Sequence, residues 1–154
     1  MIPEAIPETT GYLLAQVCKR HRAQAHARLE ALGLYRGQQF ILMVLWEREG
    51  ITHSELAEAL HVQPATISNA LKRMERAGFV VRRPDPMDQR VSRVYLTDAG
   101  RAVRDAVEQM WRDMEAQTFA GFSPEECLAL QGYLRRIIAN LQKEGCQPCN
   151  RCVG

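Results

Sequence analysis

Between Thr52 and Leu96 the apolar residues change period, and that change leaves few folds open. Thr52-His53-Ser54-Glu55 has the form of a capping box: the Thr hydroxyl takes the third backbone N–H and the Glu carboxylate reaches back. Leu56, Ala57 and Leu60 continue it as a short helix. After a turn, Pro64 suits the first turn of a second helix, where its missing N–H costs nothing. Ile67, Ala70, Leu71 and Met74 then fall within about 100° of one another at 3.6 residues per turn. The opposite face carries Ala65, Ser68, Asn69, Lys72, Arg73 and Arg76, and Gly78 closes the helix. From there the period falls to two. Phe79–Arg82 and Val91–Leu96 read as strands, joined by the turn chemistry of Pro84-Asp85-Pro86-Met87-Asp88-Gln89. Helix, turn, helix and a two-stranded wing is an arrangement that reads duplex DNA.

The charge agrees with that reading. The chain has 154 residues and a net charge of only +2, so it is not diffusely basic. Between His61 and Arg93, however, seven basic residues stand against three acidic ones, a local excess of +4. A basic patch on a balanced chain is the electrostatic footprint of a DNA-binding face. A neutral or acidic wing would instead suggest a winged-helix adaptor that binds protein. An enzyme would need a nucleophile with its base, a metal-bound water or a phosphate loop. The sequence has no Gly-rich phosphate loop, no Gly-x-Ser-x-Gly and no clustered carboxylate pair off helix surfaces.

The remaining segments read as helices. Leu14, Val17, His21, Ala25, Leu29 and Leu32 recur every three or four residues as one amphipathic stripe ending at Gly33. Gln38–Glu49 is apolar on nearly every side and is expected to be the buried central helix. Thr97 is expected to cap one long helix bearing Val103, Val107, Met110, Trp111 and Met114. Ser123, Pro124 and Glu126 start the last helix, whose stripe is Leu130, Leu134, Ile137, Ile138 and Leu141. With no sheet to cover, these terminal stripes call for a second copy of the chain.

The expected fold is mainly α with a small β-hairpin wing: a winged helix-turn-helix with dimerisation helices from both termini. Its parts are an arm and dimerisation helix (1–34), the DNA-binding region (35–100), C-terminal dimerisation helices (101–143) and a cysteine-rich tail (144–154). The longest apolar run, Phe40–Trp46, is too short to span a membrane, and the N-terminus lacks the form of a signal peptide. A cytoplasmic protein without membrane partners is expected.

The motifs resemble those of the MarR (multiple antibiotic resistance regulator) family. They are Leu45-Trp46, Thr52-x-x-Glu55-Leu56-Ala57, Pro64-Ala65-Thr66-Ile67-Ser68, Leu71, and Met74-Glu75-x-Ala77-Gly78-Phe79-Val80. Arg83-x-Asp85-Pro86-x-Asp88-x-Arg90 and Val94-x-Leu96-Thr97-x-x-Gly100 follow in register. The likeness runs through all but about the first and last ten residues. It implies a winged-helix homodimer on a pseudo-palindromic operator, usually a repressor, often released by a phenolic or lipophilic ligand or by oxidation. No cofactor is required.

On such a helix Gln63, Thr66, Ser68 and Asn69 lie near the end that approaches base edges in the major groove, and Asn69 has the groups to pair with adenine. Lys72 and Arg73, further along, suit phosphates. In the wing, Arg90 is placed for the minor groove and Asp88 to pair with an arginine and hold the wing's shape. The motif adds Arg83. A small aromatic or lipophilic effector would sit where the dimer helices meet the reading module, against Val17, His21, Gln39, Met43, Trp46 and Trp111. The alternative is a metal- or redox-responsive regulator of the same fold. Cys146, Cys149 and Cys152 stand at steps of three, a spacing open to Zn or Cu binding or to a disulfide. Cys18 lies in the first helix, but closer to Gly33 than in the family's peroxide-sensing branch, with only Tyr35 nearby. A sensor of that type is not expected.

Overall fold

The computed structural model describes residues 6–35 and 37–143. Its elements in chain order are α1 (Thr10–Glu30), α2 (Gln38–Glu47), β1 (Ile51–Thr52), α3 (His53–Ala59) and α4 (Pro64–Arg76). They continue with β2 (Val80–Pro84), β3 (Ser92–Leu96), α5 (Asp98–Ala102), α6 (Arg104–Thr118) and α7 (Pro124–Lys143). The expected winged helix-turn-helix is present.

Local signals place most boundaries. The Thr52 hydroxyl accepts from Glu55 N at 3.2 Å, and the Glu55 carboxylate accepts from Thr52 N at 2.8 Å. Ser123 and Glu126 make the same reciprocal pair at 3.1 and 2.7 Å before α7. At the end of α4 the chain turns through Gly78, at φ 84°. Phe79 N then bonds back to Met74 O and Gly78 N to Glu75 O, a closure that favours glycine at the left-handed position.

Three features differ from expectation. The wing belongs to a three-stranded antiparallel sheet of order β1-β3-β2, because Ile51 and Thr52 pair with Val94 and Arg93. The hairpin ladder runs on to Pro84↔Ser92. Pro84 lacks a ladder donor but sits on the edge strand, where that is tolerated. The single helix expected after Thr97 is interrupted at Val103, giving α5 and α6. Gly100 fastens α5 to the sheet: a Cβ there would lie 2.1 Å from Phe79 O. α6 continues along α1.

The core lies where α2, α3, α4, the sheet and α6 converge. Ile41, Leu42 and Leu45 meet Leu56, Ile67, Leu71, Met74, Val80, Val94 and Val107, each almost wholly buried. Burying one such side chain contributes about 1.5–3 kcal/mol. α2 is less enclosed than its composition suggests, since Met43 is exposed and Trp46 half-buried. The terminal helices differ sharply. Leu13 and Val17 of α1 and Leu128, Tyr133, Ile138 and Leu141 of α7 are each more than half exposed. No described helix is long and apolar enough to cross a membrane.

Candidate nucleic-acid interface

α4 buries Ile67, Ala70, Leu71 and Met74 and turns its other face outward. Gln63 occupies the N-cap position, but its side chain makes no capping bond, so its amide is not committed to the helix end. Gln63, Asn69, Lys72 and Arg73 are exposed, as expected of a reading face, and so is Arg76. Thr66 and Ser68 are half-buried. The Ser68 hydroxyl lies 3.4 Å from His53 Nδ1, across the contact between the two helices of the motif. His53 Nε2 is buried without a hydrogen-bond partner, and burial, aided by the Arg82 charge, lowers the pKa of the imidazole.

The wing is built around Asp85. Its Oδ1 accepts from Met87 N at 2.7 Å and Asp88 N at 3.2 Å, and its Oδ2 accepts from Arg93 Nε. Those bonds hold its carboxyl below the usual carboxylate range, the Arg93 bond contributing most. Arg93 also donates to Gly50 O at 2.7 Å, so one guanidinium joins the wing tip to the approach of β1. Asp88 does pair with an arginine: its Oδ1 accepts from Arg90 N at 3.0 Å and lies 3.5 Å from Arg90 Nε. The side chain that shapes the turn is nevertheless Asp85. Arg90 stays almost fully solvated beside it, its side chain 95% exposed. Arg83 lies over the Tyr95 ring, 5.2 Å from the centroid.

Those pairings sort the basic patch. Arg82 is bound to Glu75 at 2.7 and 3.0 Å, and Arg93 to Asp85. The local excess is therefore carried by Lys72, Arg73 and Arg76 on α4 and by Arg83 and Arg90 on the wing. A helix bearing exposed amides and cations, flanked by a cationic hairpin, can enter the major groove while the hairpin reaches the neighbouring backbone or minor groove. In the sequence Asp85 reads only as turn chemistry and motif, His53 only as part of a helix start, and Arg93 only as one charge of the basic patch. Asp85 and Asp88 share the same turn composition, and only the hydrogen bonds separate their roles.

The six residues predicted for an effector pocket take several different positions in the fold. His21 stacks on Trp111, with centroids 6.2 Å apart. Trp46 donates its indole N–H to Gly100 O at 2.9 Å and lies beneath Arg104, so it serves the joint between α2 and α5. Val17 and Met43 face outward. Gln39 Oε1 and Trp111 Nε1 are buried without hydrogen-bond partners. A cavity of about 590 Å³ lies elsewhere, between the end of α1, the α1–α2 connection and the last turn of α4. Cys146, Cys149 and Cys152 lie outside the described residues.

Comparison with known proteins agrees with this geometry. The MarR family model matches residues 34–92, which include α2 to the start of β3. A MarR-family transcriptional regulator from Silicibacter pomeroyi is 32% identical, with 88% of this chain and 91% of that one aligned at a TM-score of 0.66. S. aureus MepR, in a complex with DNA, is 25% identical over 86% of this chain and 96% of its own, with a TM-score of 0.73. Bordetella bronchiseptica BpsR, whose DNA binding is regulated by 6-hydroxynicotinic acid, is 25% identical over 88% and 97%, with a TM-score of 0.75. On the family-model match and on the 32% identity to the Silicibacter pomeroyi regulator over most of both chains, the chain belongs to the MarR family and is a winged helix-turn-helix, DNA-binding transcriptional regulator.

Proposed function

We propose that the chain works in the cytoplasm as a homodimer that occupies a pseudo-palindromic operator and represses transcription until a small ligand releases it. The observation that carries this reading is the pairing of one cationic reading face with two uncovered apolar helix faces. One winged helix reads one half-site. The exposed Leu13 and Val17 on α1, with Leu128, Ile138 and Leu141 on α7, supply the surface that would join two such readers. Apolar area of this kind is removed from water most readily by an isologous contact with a second copy.

Release by a ligand is supported by Gln39 Oε1 and Trp111 Nε1. Both are buried polar atoms without partners in the region predicted to take an effector. An unpaired buried donor or acceptor costs about 1–3 kcal/mol, and a ligand carrying the complementary group would recover it. The regulation of BpsR by 6-hydroxynicotinic acid is a precedent among the structural neighbours.

Sedimentation of the full chain with DNA from upstream of its own coding sequence tests the proposal. The expected complex holds two chains per duplex, and the free protein sediments as a dimer. A monomer at every concentration, or one chain per duplex, would refute the dimeric reading.

A further inference from the structure

A serine hydroxyl on a reading helix can donate to DNA or accept from it, because it carries both a hydrogen and lone pairs. Ser68 is half-buried and precedes the exposed Asn69 in α4. Among the described residues its hydroxyl has a single partner, His53 Nδ1 of α3, at 3.4 Å. The direction of that bond decides what Ser68 can offer a duplex. The far side of the imidazole fixes the direction, since His53 Nε2 is buried and has no hydrogen-bond partner.

A neutral imidazole carries one N–H and one lone pair. With the proton on Nε2, the ring buries an N–H that nothing accepts, and Ser68 must donate to Nδ1. With the proton on Nδ1, the ring donates to Ser68 Oγ and leaves only a bare acceptor inside. Among backbone groups an orphaned buried N–H is rarer than an under-used acceptor, and the same preference selects the second form of the ring. The doubly protonated ring would also bury an unaccepted N–H, and burial and the Arg82 charge oppose it. The charged groups acting on the ring are Arg82 of β2 and Glu75 of α4, which are bound to each other at 2.7 Å. Neither makes a hydrogen bond to Nε2.

We propose that His53 is a positioning residue that keeps the Ser68 hydroxyl hydrogen free for DNA, so that Ser68 acts on the reading face as a donor. Its acceptor would be guanine N7 or O6, thymine O4, or a phosphate oxygen. The opposite tautomer would commit that hydrogen to the ring and leave Ser68 able only to accept. The effect on DNA rests on α4 being the reading helix; the protonation of the ring does not.

The ring is tested in the full-length chain, free of DNA and ¹⁵N-labelled at histidine, at pH 7.5. Long-range ¹H–¹⁵N spectra distinguish a protonated imidazole nitrogen from a bare one, and the signals lost in His53→Gln identify His53. A protonated Nδ1 and a bare Nε2 are expected; a bare Nδ1 would overturn the proposal. DNA affinity is then measured on a duplex that the wild-type chain selects from a random pool. Ser68→Ala is expected to weaken binding about two- to tenfold, the loss of one hydrogen bond. His53→Phe keeps a ring but removes the donor. It is expected to weaken binding in the wild-type background and to add nothing in the Ser68→Ala background. His53→Gln, whose amide N–H can donate to Oγ, is expected to keep affinity close to wild type. Repeating the selection with Ser68→Ala separates the two acceptors: relaxed choice at one base pair per half-site marks a base edge, and the same sequence bound more weakly marks a phosphate. Wild-type affinity in Ser68→Ala, or an equal loss from His53→Phe in both backgrounds, would overturn the proposal. Failure of the chain to select any duplex would count against α4 as the reading helix and leave the ¹⁵N result standing.

Discussion

Arg93 of β3 and Asp85 at the wing turn face each other across the mouth of the hairpin, and the same guanidinium holds Gly50 O at 2.7 Å. A single ion pair therefore sets the wing's turn and fastens it to the loop before β1. With that pair in place Arg90 need not hold the loop and remains presented to solvent.

Asp85→Ala should free the wing without unfolding the chain. The Met87 and Asp88 amides, which donate to Asp85 Oδ1 in the wild type, are expected to lose hydrogen-exchange protection, while the core amides of Leu45 and Leu71 keep theirs. The Asp85 pKa is lowered in the fold, first by Arg93. Its stabilisation is thus present above the ordinary aspartate range and lost as pH falls through the folded value. The wild-type wing should stay protected at pH 5. Protection of Met87 surviving in Asp85→Ala would show that the turn is held by something else.

Gly100→Ala should be among the most damaging single changes outside the deep core. The added Cβ would meet Phe79 O at 2.1 Å and Leu96 Cδ2 at 3.1 Å, and the first of these is backbone. Overpacking against backbone costs about 3 kcal/mol, equivalent to a fall in Tm of about 6–12 °C for a chain of this size. Trp46 reports on it, since its indole donates to Gly100 O: its emission should shift to the red. A Tm within 2 °C of wild type would mean that α5 moves away from the sheet freely.

Much of this architecture is legible because local chemistry sets it. Thr52 with Glu55, and Ser123 with Glu126, announce helix starts whose hydrogen bonds close within four residues. The burial of Ile67, Leu71 and Met74 follows from their spacing alone. What could not be read depends on distant partners. β1 is two residues long and shows no alternation; it exists because β3 offers it an edge. The interruption at Val103 is invisible because the apolar stripe runs through it. The cavity joins His26, Tyr35 and Arg73, which no spacing rule connects.

Arg90→Ala should weaken duplex binding about tenfold with little change in stability, because its side chain is almost free of the fold. If Arg90 also neutralises one phosphate, the salt slope falls by about 0.9. Fluorescence anisotropy across a salt series gives both quantities. Wild-type affinity at low and moderate salt would remove Arg90 from the interface.

His53 gives the helix-turn-helix a pH dependence. Its pKa is lowered by burial and then by the Arg82 charge, with Glu75 opposing. The unfolded chain therefore takes up the proton more readily. The stability that depends on a neutral His53 is present above the ordinary imidazole range and is lost as pH falls through the folded value. Urea midpoints at pH 7.5, 6.5 and 5.5 should decline more steeply for the wild type than for His53→Gln, whose amide can still reach Ser68. Parallel declines would assign the wild-type slope to other groups.

The central claim is that two copies of one winged helix read two halves of one site. Selection of bound sequences from a random duplex pool by the full chain tests it most directly. The account predicts an enriched inverted repeat whose half-sites lie about 10 base pairs apart, centre to centre, on one face of the duplex. Enrichment of a single unrepeated half-site, or of no sequence at all, would contradict it.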